Sequence, residues 1–203
     1  STQRKNEIFD ICFQNKVKVL SVPHIKTWTD GKLRVEQIKE IEIEQLLNRQ
    51  EIKLNSEIIS KEITDKVVLV TGAAGSIGSE IVRLVIKVNP KNILVLDQAE
   101  TPLYEIEYEI KENYPDNPKQ IIIASITDRI TMEKVFREFS PDIVFHAAAY
   151  KHVPMMESHP CQAAKTNILG TKNIADLSLK YGVKKFVMIS TDKAVNPTNV
   201  MGA

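Results

Sequence analysis

Three of the seven glycines in this 203-residue chain fall in one short window, Thr71-Gly72-Ala73-Ala74-Gly75-Ser76-Ile77-Gly78. The window lies between a β-branched run, Val67 to Val70, and a stretch with helical apolar spacing at Ile77, Ile81, Leu84 and Val85. A glycine cluster in that setting predicts a strand, a tight turn and a helix N-terminus in succession. There the unpaired backbone N–H groups and the helix dipole favour an anion. Gly72 permits the turn, Gly75 lets the backbone approach a pyrophosphate, and Gly78 lets the helix pack closely on the strand. A glycine turn with no ligand is the plain alternative; the strand–turn–helix context favours the pyrophosphate.

The alternation continues past this unit. The spacing predicts strands over 67–70, 92–97, 120–124, 142–146 and 185–190, and helices over 76–87, 101–112, 129–139 and 161–181. Parallel strands need crossover connections, so the expected fold is an α/β, Rossmann-type, doubly wound parallel sheet of order 3-2-1-4-5 over residues 65–203. Residues 1–64 read differently. A strand over 17–22, a period-two Glu/Ile alternation over 40–44 and a helical turn over 45–50 suggest a short partial α/β segment, the tail of a preceding domain plus a linker.

Composition narrows the function classes. Lys plus Arg is 27 against Asp plus Glu 26, with no basic arm, so a nucleic-acid partner is not expected. Cys12 and Cys161 form no paired motif, and His152, Glu157 and His159 have no metal-ligand spacing, so neither a disulfide framework nor a metal site is expected. The longest apolar runs fall far short of the ~20 residues that cross a bilayer, so no membrane contact by this segment is expected, and a reducing cytosolic compartment is. Because the chain starts at Ser1 and stops at Met201-Gly202-Ala203 without a terminating pattern, it is expected to be a piece of a longer protein.

In such sheets ligands sit at the carboxyl ends of the strands. Asp97 ends the second strand, where a carboxylate accepts hydrogen bonds from both hydroxyls of an adenosine ribose and repels a 2′-phosphate. NAD is therefore favoured, with NADP as the alternative. After the third strand come Ile126 and Asp128, the latter either a helix N-cap or a partner for the adenine amino group. His146-Ala147-Ala148-Ala149 ends the fourth strand, where small side chains let a ribose lie against the backbone or let a helix pack tightly, and Tyr150, Lys151 and His152 follow. Asn167 inside a predicted helix is an unfavourable placement that suggests a hydrogen-bonding task. The last strand runs into Ser190-Thr191-Asp192-Lys193, either a solvated loop pair or an acid/base pair facing the ligand.

The blocks Val70 to Glu80, His146 to Glu157 and Ser190 to Ala203 together resemble the nucleotide-sugar 4,6-dehydratases of polysaccharide biosynthesis, a group of extended short-chain dehydrogenase/reductases. Residues 17–58 also resemble the stretch before the catalytic domain in the long, membrane-anchored members, where it finishes a Rossmann-like domain. The resemblance implies cofactor contacts from Gly72, Ala74, Gly75, Ser76, Ile77 and Gly78, from Asp97, Ile126 and Asp128, from Ala147, Ala148, Ala149 and Lys151, and from Asn167 and Ser190. It implies oxidation of a UDP-sugar (UDP-N-acetylglucosamine type) at its 4-hydroxyl by NAD(P), loss of water across carbons 5 and 6, and return of the hydride to carbon 6. Asp192 becomes the acid for the 6-hydroxyl, Lys193 the base for the carbon 5 proton, and Thr191 a partner of the 4-hydroxyl region. Met201 stands where the usual tyrosine of these enzymes stands, and the matching lysine and the sugar-binding lobe are expected beyond Ala203. The piece by itself is expected to be inactive, and the whole protein a homo-oligomer at the cytoplasmic face of an inner membrane. An epimerase and a non-catalytic NAD-binding module are the alternatives.

Overall fold

The computed structural model describes residues 12, 17, 20–21, 39–40 and 56–203. The chain divides into two compact units, Ser1–Leu54 and Asn55–Ala203. Of the first, Leu20–Ser21 pairs antiparallel with Lys39–Glu40; the remainder of the readings at 17–22, 40–44 and 45–50 lies outside the described residues.

The second unit carries five parallel strands, β1 (Val67–Thr71), β2 (Asn92–Asp97), β3 (Lys119–Ile123), β4 (Ile143–His146) and β5 (Lys185–Met188), in the spatial order β3-β2-β1-β4-β5. This is the expected order 3-2-1-4-5. Its helices are α1 (Ser56–Ile63), α2 (Ser76–Ile86), α3 (Glu100–Asn113), α4 (Arg129–Phe139), α5 (Val153–Ser158), α6 (Pro160–Ala163) and α7 (Thr171–Lys180). Successive strand residues face opposite ways. Val68 and Val70 of β1 therefore join Ile93 and Val95 of β2 under α1, α2 and α3, with Ile63, Val82, Val85, Leu103 and Ile106 in the same cluster. Leu69, Leu94, Leu96 and Val144 face the other layer, where Met132 and Phe136 of α4 and Ile174 and Leu177 of α7 close the second core. A sheet buried on both faces needs near-continuous apolar strands, which is why β1 and β2 read as unbroken runs rather than as alternation.

Two local features depart from the expected pattern. Helix α1 was not expected; its Ile63 is buried in the first core, so the compact unit starts ahead of Asp65. The single helix predicted over 161–181 is instead α6, a π-helical stretch (Ala164–Gly170) and α7, with the short α5 before it. A π turn keeps the apolar spacing of a helix while adding a residue, so periodicity alone does not separate the two.

His146 at the end of β4 is 2 % exposed, with Nδ1 at 2.7 Å from Thr71 Oγ1 and Nε2 at 2.9 Å from Thr171 Oγ1. Both ring nitrogens thus join β1 and α7 to β4. Burial lowers its pKa from 6.5 to about 4. A folded pKa below the unfolded one means that the fold binds fewer protons; this stabilisation is complete above about pH 6.5 and disappears as pH falls towards 4. Its full size is on the order of 3 kcal/mol. Urea denaturation at pH 7.5 and 4.5 should show the parent losing more stability than His146→Gln by roughly that amount; parallel losses would contradict it.

Candidate dinucleotide site

The order reversal between β1 and β4 opens a crevice at the strands' carboxyl ends. A cavity of about 490 Å³ occupies it, within the size range of small-molecule sites. Its floor is the glycine window. Gly72 has φ +68°, and a Cβ there would stand 2.6 Å from the backbone of Ala147 and Ala148. At Gly78 a Cβ would stand 1.9 Å from the carbonyl oxygen of Gly72, so bare glycine lets α2 start directly on the turn. Gly75 is different: its Cβ would meet only the Gly72 oxygen, at 3.3 Å, and its open side faces the cavity. Gly75 is also the N-cap of α2 and no side chain caps it, so the first turn of the helix presents N–H groups to the cavity along Ser76, Ile77 and Gly78.

Asp97 is the acidic member of the lining. Its Oδ2 accepts from the Ala74 N–H at 3.0 Å and its Oδ1 from the Ala99 N–H at 3.0 Å, so the carboxylate ties the glycine turn to the loop after β2. Each oxygen keeps lone-pair capacity for a ligand hydroxyl. On the other side, Ala147, Ala148 and Ala149 leave β4 with no side chain to obstruct a ligand, followed by Tyr150, Lys151 and His152. Ser125 and Ile126 close the end beyond β3.

Three expected cofactor contacts lie outside this lining. Asp128 is the N-cap of α4: Oδ1 accepts from Thr131 N at 3.1 Å and Oδ2 from the Thr131 hydroxyl at 2.6 Å, and these bonds hold its carboxyl below the ordinary range. Of the two roles read from sequence, the capping one is occupied. Asn167 is engaged with the Tyr150 backbone, its Oδ1 accepting from the N–H at 2.8 Å and its Nδ2 donating to the carbonyl at 3.0 Å. Ser190 is exposed after β5. Conversely, Gln98, Ser125 and Thr166 line the cavity without having been singled out. Gln98 and Ser125 follow strand ends and were findable by that rule; Thr166 comes from the π-helical stretch, which has no sequence signature of its own.

Thr191, Asp192 and Lys193 are also at a strand's carboxyl end but outside the cavity lining. Thr191 caps the 3₁₀ turn Asp192–Ala194, its hydroxyl donating to Asp192 Oδ1 at 3.1 Å while the Lys193 N–H donates to Thr191 Oγ1 at 3.3 Å. Lys193 Nζ stands 3.6 Å from Asp192 Oδ1. The Thr191 hydroxyl bond first, and the Lys193 charge second, hold the exposed Asp192 carboxyl below its usual range. The backbone behind this group is braced by Gly202, where a Cβ would stand 2.1 Å from the Lys193 oxygen, and by Glu157 Oε1, which accepts from Val200 N at 2.7 Å. Met201 is half-buried beside Gly202. Among the described residues no cluster of His, Cys, Asp and Glu could hold a metal ion, and no helix is long and apolar enough to cross a membrane.

Comparison with known proteins agrees with this geometry. The capsular polysaccharide biosynthesis protein CapD of Staphylococcus aureus is 46 % identical over the whole chain, which spans 34 % of that protein. A UDP-N-acetylglucosamine 4,6-dehydratase (inverting) of Campylobacter jejuni is 34 % identical over 68 % of the chain, 40 % of its own length. Among solved structures, the UDP-glucose-4-epimerase of Stenotrophomonas maltophila, with bound NAD and formylated UDP-arabinopyranose, superposes with a TM-score of 0.58 and 27 % identity over 64 % of this chain and 38 % of that one. The chain thus spans about a third to two fifths of the length of the relatives it matches. Residues 68–203 match the sequence profile described as "Polysaccharide biosynthesis protein", and the chain belongs to that family.

Proposed function

We propose that the cavity holds NAD and that the whole protein is a nucleotide-sugar 4,6-dehydratase acting on a UDP-sugar of the N-acetylglucosamine type. The observation that carries the cofactor reading is the uncapped start of α2 at Gly75, open to a cavity whose rim beside the glycine turn carries the Asp97 carboxylate. N–H groups at Ser76 to Gly78 suit a pyrophosphate, Asp97 suits a ribose diol, and Ser125 and Ile126 suit an adenine end. Bound there, NAD would supply the hydride chemistry of the reaction, oxidation at the sugar's carbon 4 and reduction at carbon 6.

The chain's own residues supply the proton handling. Asp192 is ionised as it stands, so it accepts before it donates. With Met201 unable to take a proton, we assign receipt of the 4-hydroxyl proton to Asp192, which accepts from the Thr191 hydroxyl. It then returns that proton to the departing 6-hydroxyl, while Lys193 takes the carbon 5 proton once carbon 4 is a ketone and gives a proton back to carbon 5 when carbon 6 has been reduced. An epimerase is the second reading, favoured by the structural likeness to an NAD-bound epimerase; Met201 weighs against it. Anchoring of the whole protein at the inner membrane rests on the resemblance of residues 17–58 to the long members, and self-association on the exposed Ile168 and Leu169, which an oligomer would cover.

Calorimetric titration of the chain with each cofactor tests the assignment. NAD should bind more tightly than NADP, because Asp97 pairs with a free diol and faces a 2′-phosphate with like charge. Equal or reversed affinities would contradict it.

A further inference from the structure

Among the described residues, one hydrogen bond joins the segment 190–203, which carries Thr191, Asp192, Lys193 and Met201, to the rest of its unit: Glu157 Oε1 accepts from the Val200 N–H at 2.7 Å. Backbone pairing with β4 ends just before the segment, where the Ile189 N–H donates to the His146 carbonyl at 3.0 Å. The segment's other hydrogen bonds and its ion pair are internal.

Those internal contacts key its two halves together. Asn199 caps the turn 200–202, its Oδ1 accepting from the Gly202 N–H at 2.9 Å and its carbonyl from the Gly202 and Ala203 N–H groups at 3.1 Å. The Val200 N–H stands at the head of this turn, where a helical turn leaves its first donors without a partner of their own, and Glu157 takes it. Gly202 seats on the other half: a Cβ there would stand 2.1 Å from the Lys193 oxygen, so the turn and the 3₁₀ stretch Asp192–Ala194 shift together. Helix α5 aims the carboxylate. Met156 is buried and its N–H donates to the His152 carbonyl at 3.0 Å; one residue on, about 100° around the helix, Glu157 is exposed. The helix itself follows directly on Lys151 and His152 of the cavity lining.

We propose that Glu157 is a positioning residue of the reaction: through the Val200 N–H it holds the turn 200–202 against Lys193, and so keeps the Asp192–Lys193 pair and Met201 in a fixed place relative to the cavity wall from which α5 extends. The proposal rests on the dehydratase reading above, and it assigns Glu157 no contact with sugar or cofactor.

The test is Glu157→Ala and Glu157→Gln in the whole protein. Gln keeps a carbonyl oxygen that accepts from the Val200 N–H; Ala keeps no acceptor. With UDP-N-acetylglucosamine and NAD, kcat should fall about tenfold or more in Glu157→Ala and stay within about threefold of the parent in Glu157→Gln, because small displacements of reacting groups are costly. KM and NAD affinity should stay within about threefold in both, since Glu157 is outside the cavity lining. Amide exchange over residues 191–202 should quicken in Glu157→Ala and not in Glu157→Gln, with melting temperatures unchanged. Turnover of Glu157→Ala within about twofold of the parent, with unchanged exchange, would overturn the proposal. So would equal losses in the two variants, or a loss in Glu157→Ala that only tracks a fall in melting temperature. Should the parent form no dehydrated product, the dehydratase reading fails, and exchange over residues 191–202 still decides whether Glu157 holds the segment.

Discussion

Gly78→Ala should abolish cofactor binding and cost the fold more than 3 kcal/mol, as read by NAD titration and by urea denaturation. The added Cβ would stand 1.9 Å from the Gly72 oxygen and 2.9 Å from Ala73 Cα, and both are backbone that no rotamer change can move. Relief requires α2 to slide off β1, which drags Val82, Val85 and Ile86 out of the first core. Gly75→Ala is the contrasting control. Its Cβ contact at 3.3 Å is tolerable, so stability should fall by less than about 1 kcal/mol while NAD binding suffers, because the methyl group intrudes where a pyrophosphate would approach. If Gly75→Ala leaves NAD affinity unchanged, the floor of the cavity is not the pyrophosphate site.

Lys193→Ala in the whole protein should lower dehydration by roughly 10² to 10⁴ while leaving NAD affinity intact, since the side chain is outside the cavity lining and a general base is worth about that factor. Oxidation and elimination should then separate: the 4-keto sugar accumulates and solvent deuterium no longer enters at carbon 5. Turnover within about tenfold of the parent would remove Lys193 from the role of base. Because the Lys193 ammonium also helps hold Asp192 ionised, the variant should shift the acid limb of the pH–rate profile upwards.

The sheet order was legible because β1 and β2 carry continuous apolar runs and a helical stretch separates each pair of successive strands; β2 and α4 match the expected bounds residue for residue. The turn at Gly72 and the close packing at Gly78 were legible too, since neither place has room for a Cβ. What escaped were features decided by tertiary contact. Asp128 is the local exception: of its two equally good uses, the one seen is the N-cap, bonded to Thr131 three residues on. Asn167 was noticed for its awkward helical placement, but its partner, the backbone N–H and carbonyl of Tyr150, is visible only in three dimensions. Helix α1 escaped because Ile63 is its one buried residue, with Ile59 packed partly against the same core and the rest of its surface half-buried or exposed.

The most direct test of the account is NMR identification of the product that the whole protein makes from UDP-N-acetylglucosamine with NAD in deuterated water. A UDP-4-keto-6-deoxy sugar carrying deuterium at carbon 5 is the expected result; a 4-epimer that keeps its 6-hydroxyl and takes up no deuterium would contradict it.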